Sequence, residues 1–291
     1  MVRRCAFVLR ALSIVMLAGC ASRLPAAPPA KAVSVCPAAG FNFQGAFQQG
    51  GLVLGTAPEG TVSLFLDGQP LRMAKGRSFL LGFGRDHRAN AVIEARLADG
   101  SVQRLPITIA ARVWDIQSLP TLPRGTTPTP EFLKRRAAEL AQINAARTIQ
   151  SDSQGWRQAF VWPVIGRISG VFGSQRIYAG EPGAPHSGVD VARPTGTPVV
   201  APADGVVILA AAAPFSLEGN LLMIDHGMGL NSAFLHLSRI DVKVGDRVAR
   251  GQRVGAIGAT GRATGPHLHW SMKWQDERID PAPLAGAMPA Q

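Results

Sequence analysis

Between about Phe41 and Ile116, apolar positions recur at every second residue, the period of a half-buried strand. Val62, Leu64 and Leu66 alternate with Thr61, Ser63 and Phe65; Asp67-Gly68 follows, and Leu71 and Met73 resume the pattern. Asp-Gly between alternating runs predicts a hairpin, because both turn positions favour positive φ. Val92, Ile93 and Leu97 lead in the same way to Asp99-Gly100, and Val102, Leu105, Ile107 and Ile109 come after it. Short strands with regular turns predict a small β-sandwich over residues 39–118. A Pro/Thr-rich linker then opens residues 119–155. Within it Thr129 can cap a helix, with Pro130 at its first position and Glu131 near the positive end of its dipole. Leu133, Ala137, Leu140 and Ile143 lie at helical spacing, which predicts one helix bridging two β regions. From 156 to 285 the chain is β-rich again, punctuated by Asp204-Gly205, Gly227-Met228-Gly229 and Gly245-Asp246, with no extended helical pattern. The expected fold is mostly β: sandwich, linker helix and C-terminal antiparallel β domain.

Every histidine except His87 falls in that second β region. His87 sits in the charged run Arg85-Asp86-His87-Arg88, which reads as a solvated loop. In His186-Ser187-Gly188-Val189-Asp190, imidazole and carboxylate are both zinc-ligand types, and Gly188 and Pro194 argue for extended chain leading out of a loop. In His267-Leu268-His269-Trp270 the spacing of two puts both histidines on one strand face, with Leu268 and Trp270 on the other. Taken alone, this pair suits a metal or reaction site and a surface pair equally. His236 is flanked by Leu235 and Leu237, and a lone histidine there is more often a satisfied core residue. His226, in Asp225-His226-Gly227, reads as a structural residue that fixes a turn.

Together, His186-x3-Asp190, His236-Leu-Ser238 and His267-Leu-His269 resemble the signature of the LytM/lysostaphin-type zinc endopeptidases, over roughly Trp162 to Trp274. Ile168-Ser169-Gly170-Val171-Phe172-Gly173, Gly196-Thr197-Pro198 and Phe234, two residues before His236, extend the likeness. The resemblance implies a catalytic domain of the duplicated-hybrid-motif kind. It implies one zinc ion held by His186, Asp190 and His269, with His236 and His267 as unligated catalytic histidines. Three protein ligands leave a fourth position open, which separates catalytic from structural zinc. It further implies hydrolysis of amide bonds in peptidoglycan cross-links. Arg176, Tyr178 and Arg262 are candidate substrate contacts; Tyr178 is equally a surface loop residue.

The chain has 291 residues and a formal net charge of +11. A basic surface suits an anionic polymer or plain solubility, but no basic run interleaved with aromatics and no nucleic-acid motif is present, so nucleic acid is not an expected partner. Arg3 and Arg4 precede a short apolar stretch, Ala11 to Ala18, too short to span a membrane, which reads as a secretion signal over residues 1–20. Leu17-Ala18-Gly19-Cys20 resembles a bacterial lipobox, which would make Cys20 a lipidated first residue, with ordinary signal cleavage as the alternative. An Ala/Pro tether follows over 21–38. With Ala21 and Ser22 after Cys20, the implied address is the periplasmic side of an outer membrane. Cys5, Cys20 and Cys36 make neither a disulfide framework nor a cysteine metal site.

Three other classes compete. A LytM-type regulator that activates a cell-wall amidase through a protein contact would not need the intact ligand set. A swinging-arm carrier is suggested by Val242-Lys243-Val244-Gly245-Asp246, but it leaves the histidines unexplained. In a structural cell-wall tether the N-terminal β region would be the working part.

Overall fold

The computed structural model describes residues 40–122 and 128–290. The expected secretion signal and tether, with Cys20 and Cys36, lie outside the described residues.

The N-terminal region holds β1 (Asn42–Gln44), β2 (Leu52–Thr56), β3 (Thr61–Leu66), β4 (Gln69–Leu71), β5 (Ser78–Gly82), β6 (Asn90–Leu97) and β7 (Val102–Thr108). They form two sheets, β1-β2-β5 and β4-β3-β6-β7. Phe79 and Leu81 from one sheet and Leu64, Ile93 and Ile107 from the other share a buried core, as the alternation predicts. The Asp67-Gly68 turn has φ of 49° and 81°. At the second hairpin only Gly100 is left-handed (φ 85°), while Asp99 accepts hydrogen bonds from Ser101 N and Oγ. Val62 departs from the pattern and is 63% exposed, because the pairing of β3 with β6 shifts register between Thr61 and Ser63.

Strand β5 is buried along its whole length. Phe79 and Leu81 serve the sandwich core, but Leu80 points into the core of the C-terminal region beside Trp274 and Ile279. Gly82 permits this contact, since a Cβ there would lie 2.7 Å from the Trp274 ring. Arg112 pairs with Asp280 at 2.8 Å, and Asp280 N donates to Gly50 O, so the two β regions are joined by polar as well as apolar contacts.

Strand β8 (Ile116–Leu119) precedes helix α1 (Pro130–Thr148), which is capped as expected, Thr129 Oγ1 accepting from Phe132 N. The helix does not turn its Leu133-Ala137-Leu140 stripe inward; Leu133 and Leu140 are exposed. Of the predicted stripe it buries Ile143, together with Glu139 and Ala146. Polar ties set this rotation. Glu139 accepts from Ser216 N and Oγ, and Arg136 grips Glu218 through two hydrogen bonds of 2.6 and 2.7 Å. Ile143 and Ala146 then pack on Ile208, Met223 and Ala233, which sets the helix on a face of the C-terminal sheet.

The C-terminal region contains β9 (Arg167–Gly170), β10 (Gln175–Tyr178), β11 (Glu181–Pro182), β12 (Val189–Ala192), β13 (Pro198–Val200), β14 (Gly205–Ala210), β15 (Asn220–Gly227), β16 (Leu230–Leu237), β17 (Arg239–Ile240), β18 (Arg247–Val248), β19 (Arg253–Ala256), β20 (His267–Trp274) and β21 (Glu277–Ile279). The main sheet runs β18-β14-β15-β16-β20-β12-β9, with β21 beside the far half of β20. Its ladders are antiparallel. Two three-stranded sheets flank it, one of which joins β8 in parallel to β10. A 3-10 turn (Gly155–Arg157) and a short helix, α2 (Ala282–Ala285), add the helical pieces that the pattern did not predict. Leu268, Trp270, Met272 and Trp274 of β20 enter the core. His267, His269, Ser271 and Lys273 therefore share the opposite face.

Candidate metal centre

Strand β12 lies antiparallel to β20 with Asp190 directly opposite His269. His186 sits in the loop that delivers the chain to β12, as Gly188 and Pro194 suggest. Asp190 Oδ1 is 2.9 Å from His269 Nδ1, Asp190 Oδ2 is 3.2 Å from His186 Nε2, and the two imidazole nitrogens are 3.1 Å apart. One donor atom from each residue falls within 4.8 Å of the others. His186 Nδ1–H donates to Val171 O at 3.0 Å, which fixes the tautomer and turns the Nε2 lone pair to the cluster. Gly170 leaves the room: a Cβ there would lie 2.5 Å from Asp190 Oδ2. Burial opposes ionisation of Asp190, but the attraction of the His186 and His269 rings wins and holds its carboxyl well below the usual range. Burial lowers the His269 pKa against the pull of Asp190, whereas for His186 the pull of Asp190 overcomes burial and raises it.

His236 and His267 stand beside this cluster with ring centroids 4.8 Å apart. His267 comes from the same strand face as His269. His236 arrives by a route the sequence does not announce. Asn220 pairs with Leu237 and Leu222 with Phe234, so Leu235 and His236 oppose Leu221 alone in a bulge. His236 takes φ 64°, a left-handed conformation uncommon for a side chain of this size, while Phe234 and Leu237 remain in the core. Both rings are held alike: His236 Nδ1–H donates to Thr260 O and His267 Nδ1–H to Gly265 O, each at 2.8 Å. Neither Nε2 has a hydrogen-bond partner among the described residues; His267 Nε2 is 3.8 Å from Asp190 Oδ1. Burial lowers the His236 pKa despite the Thr260 carbonyl, so its resting form is neutral at pH 7.

All five residues line one cleft of about 930 Å³. Of the expected substrate contacts, Arg262 lines it and Arg176 and Tyr178 do not. Those two belong to β10, where Arg176 Nε donates to Gln117 and the Tyr178 ring lies over Gly183. The loop expected to be merely solvated has a different place. Gly84, Arg85, Asp86 and His87 form part of the cleft wall. Arg85 fixes them by donating to Gly173 O and Gln175 Oε1, with Trp114 under its guanidinium. Leu217, Glu218 and Arg278 complete the far side. No local motif marks these residues, because long-range packing brings them to the site. His226 is structural, as read: fully buried, with both ring nitrogens paired.

Two imidazoles and one carboxylate, converging with donor atoms unobstructed, fit a divalent metal ion of the kind that prefers nitrogen and oxygen ligands. The comparisons agree with that chemistry. The profile of peptidase family M23 matches residues 184–281. Peptidoglycan DD-endopeptidase ShyA of Vibrio cholerae is 47% identical over 107 residues, 36% of this chain and 24% of that protein. DD-carboxypeptidase/endopeptidase Mpg of Neisseria meningitidis is 39% identical over 100 residues, 34% of this chain and 23% of that protein. The chain thus spans about a quarter of the length of these two relatives. The crystal structure of a putative peptidase M23 from Pseudomonas aeruginosa is 33% identical, with a TM-score of 0.62 over 84% of this chain and 96% of that one. That likeness runs well beyond the segment carrying the histidines, and this chain belongs to peptidase family M23.

Proposed function

We propose that the protein is a zinc endopeptidase that hydrolyses amide bonds in the peptide cross-links of peptidoglycan. The observation that carries this reading is the pairing of two sites in one cleft. Three metal donors converge, and beside them two histidines each keep one nitrogen open. His186 Nε2, an Asp190 oxygen and His269 Nδ1 would hold the zinc. Zinc bound there supplies a Lewis acid for a carbonyl and lowers the pKa of water to about 7.

The remaining chemistry belongs to the chain. Thr260 O and Gly265 O occupy the Nδ1 protons of His236 and His267, so proton exchange with substrate or water runs through the two Nε2 atoms. A neutral His236 can accept a proton from the attacking water and return it to the leaving amine. His267 already gives its Nδ1 proton to Gly265 O, so it would donate from Nε2 to the carbonyl oxygen, as negative charge develops there, in its doubly protonated form. Arg262, exposed on the rim, is the substrate contact retained from the sequence reading. The name of the Vibrio relative supports peptidoglycan as the substrate. The finer reading is of a periplasm-facing enzyme of the cell envelope, anchored in the outer membrane through a lipid on Cys20. It rests on the lipobox-like sequence.

The test is to incubate the purified protein with isolated peptidoglycan, with zinc or with a chelator, and to identify the fragments by mass spectrometry beside a His267→Ala control. New peptide ends only with metal and only with the unmutated protein are expected. Intact peptidoglycan after incubation with folded, zinc-loaded protein would refute the enzyme and favour the amidase-regulator class.

A further inference from the structure

Past the histidines, β20 continues away from the candidate metal donors. Ser271 and Lys273 follow His269 on the same face, and Arg278 of β21 stands opposite Lys273 in the ladder. Four residues of strand span about 13 Å, the reach of about four residues of extended peptide. Arg278 lines the cleft there. The last turn of α1 lies over the same sheet face through Ile143 and Ala146, and it carries Arg147.

Arg147, half-buried, and Arg278, exposed on the cleft wall, differ from three half-buried arginines elsewhere. Arg85, Arg112 and Arg136 all donate to acceptors within the protein. Arg147 and Arg278 make neither a hydrogen bond nor an ion pair with any described residue, and Arg147 Nε is buried without an acceptor. Two acids near them are engaged elsewhere: both Glu218 oxygens face Arg136, and Asp276 pairs with Lys273. Arg278 is exposed at the cleft surface yet walled by surrounding protein, so that desolvation lowers its pKa; desolvation and repulsion from Arg278 act likewise on Arg147. Arg147, with Nε buried and unpaired, and Arg278, which faces the cleft without an acceptor in the protein, leave guanidinium donors free for an incoming group. The planar donor fork of each matches a carboxylate.

We propose that Arg147 and Arg278 form a subsite for a carboxylate of the peptide substrate, about four residues along the cleft from the metal donors. The subsite rests on the reading of this cleft as a peptidase site. It would make the protein select cross-links that carry a free acid on one side of the cut bond over the same links neutralised as amides.

The probe is a cross-linked peptide dimer released from peptidoglycan, with its carboxylates either free or converted to amides. Affinity is measured by calorimetry in a His267→Ala background, which binds without turnover. The acid form is expected to bind about tenfold more tightly than the amide. Arg147→Gln and Arg278→Gln should each remove most of that difference, leaving amide affinity and Tm unchanged, and Arg278→Lys should restore part of it. A purely structural pair would instead lower Tm and weaken both ligands alike. Equal affinity for acid and amide, binding of neither, or full discrimination in the Arg147→Gln/Arg278→Gln double variant would overturn the subsite. Acid-selective binding by a protein that cuts neither form once His267 is restored would keep the subsite and overturn the peptidase reading.

Discussion

His226 and His267 sit on the same sheet, two strands apart, in opposite circumstances. His226 is fully buried against Phe160. Its Nδ1–H donates to Asp204 O at 2.8 Å, and its Nε2 accepts from Ser232 Oγ at 2.8 Å. Ser232 in turn accepts from Trp270 Nε1. Both nitrogens are used, and the ring pins a turn to the core. His267 and His236 have one nitrogen tied to a backbone carbonyl and the other open to the cleft. Burial alone therefore does not separate a working histidine from a structural one. What separates them is an unpaired nitrogen held in a fixed direction toward space a substrate can enter.

Several substitutions can break or sharpen that contrast. The largest effect is expected from Asp190→Ala or His269→Ala, which remove a donor from the cluster; bound zinc should fall to background in elemental analysis, and cleavage with it. His236→Ala or His267→Ala should lower kcat by about 10²–10⁴-fold with zinc content unchanged. Loss of zinc from either variant would place that histidine among the ligands. Gly170→Ala should weaken zinc binding by about 10- to 100-fold in a competition titration, because its Cβ would press on Asp190 Oδ2. The smallest effect on turnover is expected at His226, whose contribution is to stability. Burial lowers its pKa from 6.5 to about 4. Between those values the unfolded chain takes up a proton that the folded chain refuses. Stability therefore falls as the pH drops through that window and levels off below it, by about 3 kcal/mol for this group. Urea unfolding between pH 4 and 7 should show that slope, reduced in His226→Gln, while the variant still cuts at neutral pH.

The cluster was legible where chemistry and strand period coincide. A spacing of two on a strand gives one face, and β20 places His267 and His269 there. Thr129 and Pro130 marked the helix start correctly because capping is local. The rotation of the helix was not legible, since the ties of Arg136 and Glu139 to residues 216–218 come from far along the chain. Nor was the bulge at His236, where one extra residue and a left-handed φ aim the ring, or the approach of Arg85–His87 to the cleft. Residue type, spacing and the family resemblance together point to the candidate metal donors; long-range packing decides the walls of the cleft.

The central claim is that His186, Asp190 and His269 hold the metal while His236 and His267 stay free of it. Anomalous diffraction at the zinc absorption edge, on crystals of zinc-loaded protein, tests it most directly. The account predicts one peak bounded by His186 Nε2, the Asp190 carboxylate and His269 Nδ1. A peak between His236 and His267, or no peak in this cleft from protein carrying stoichiometric zinc, would contradict it.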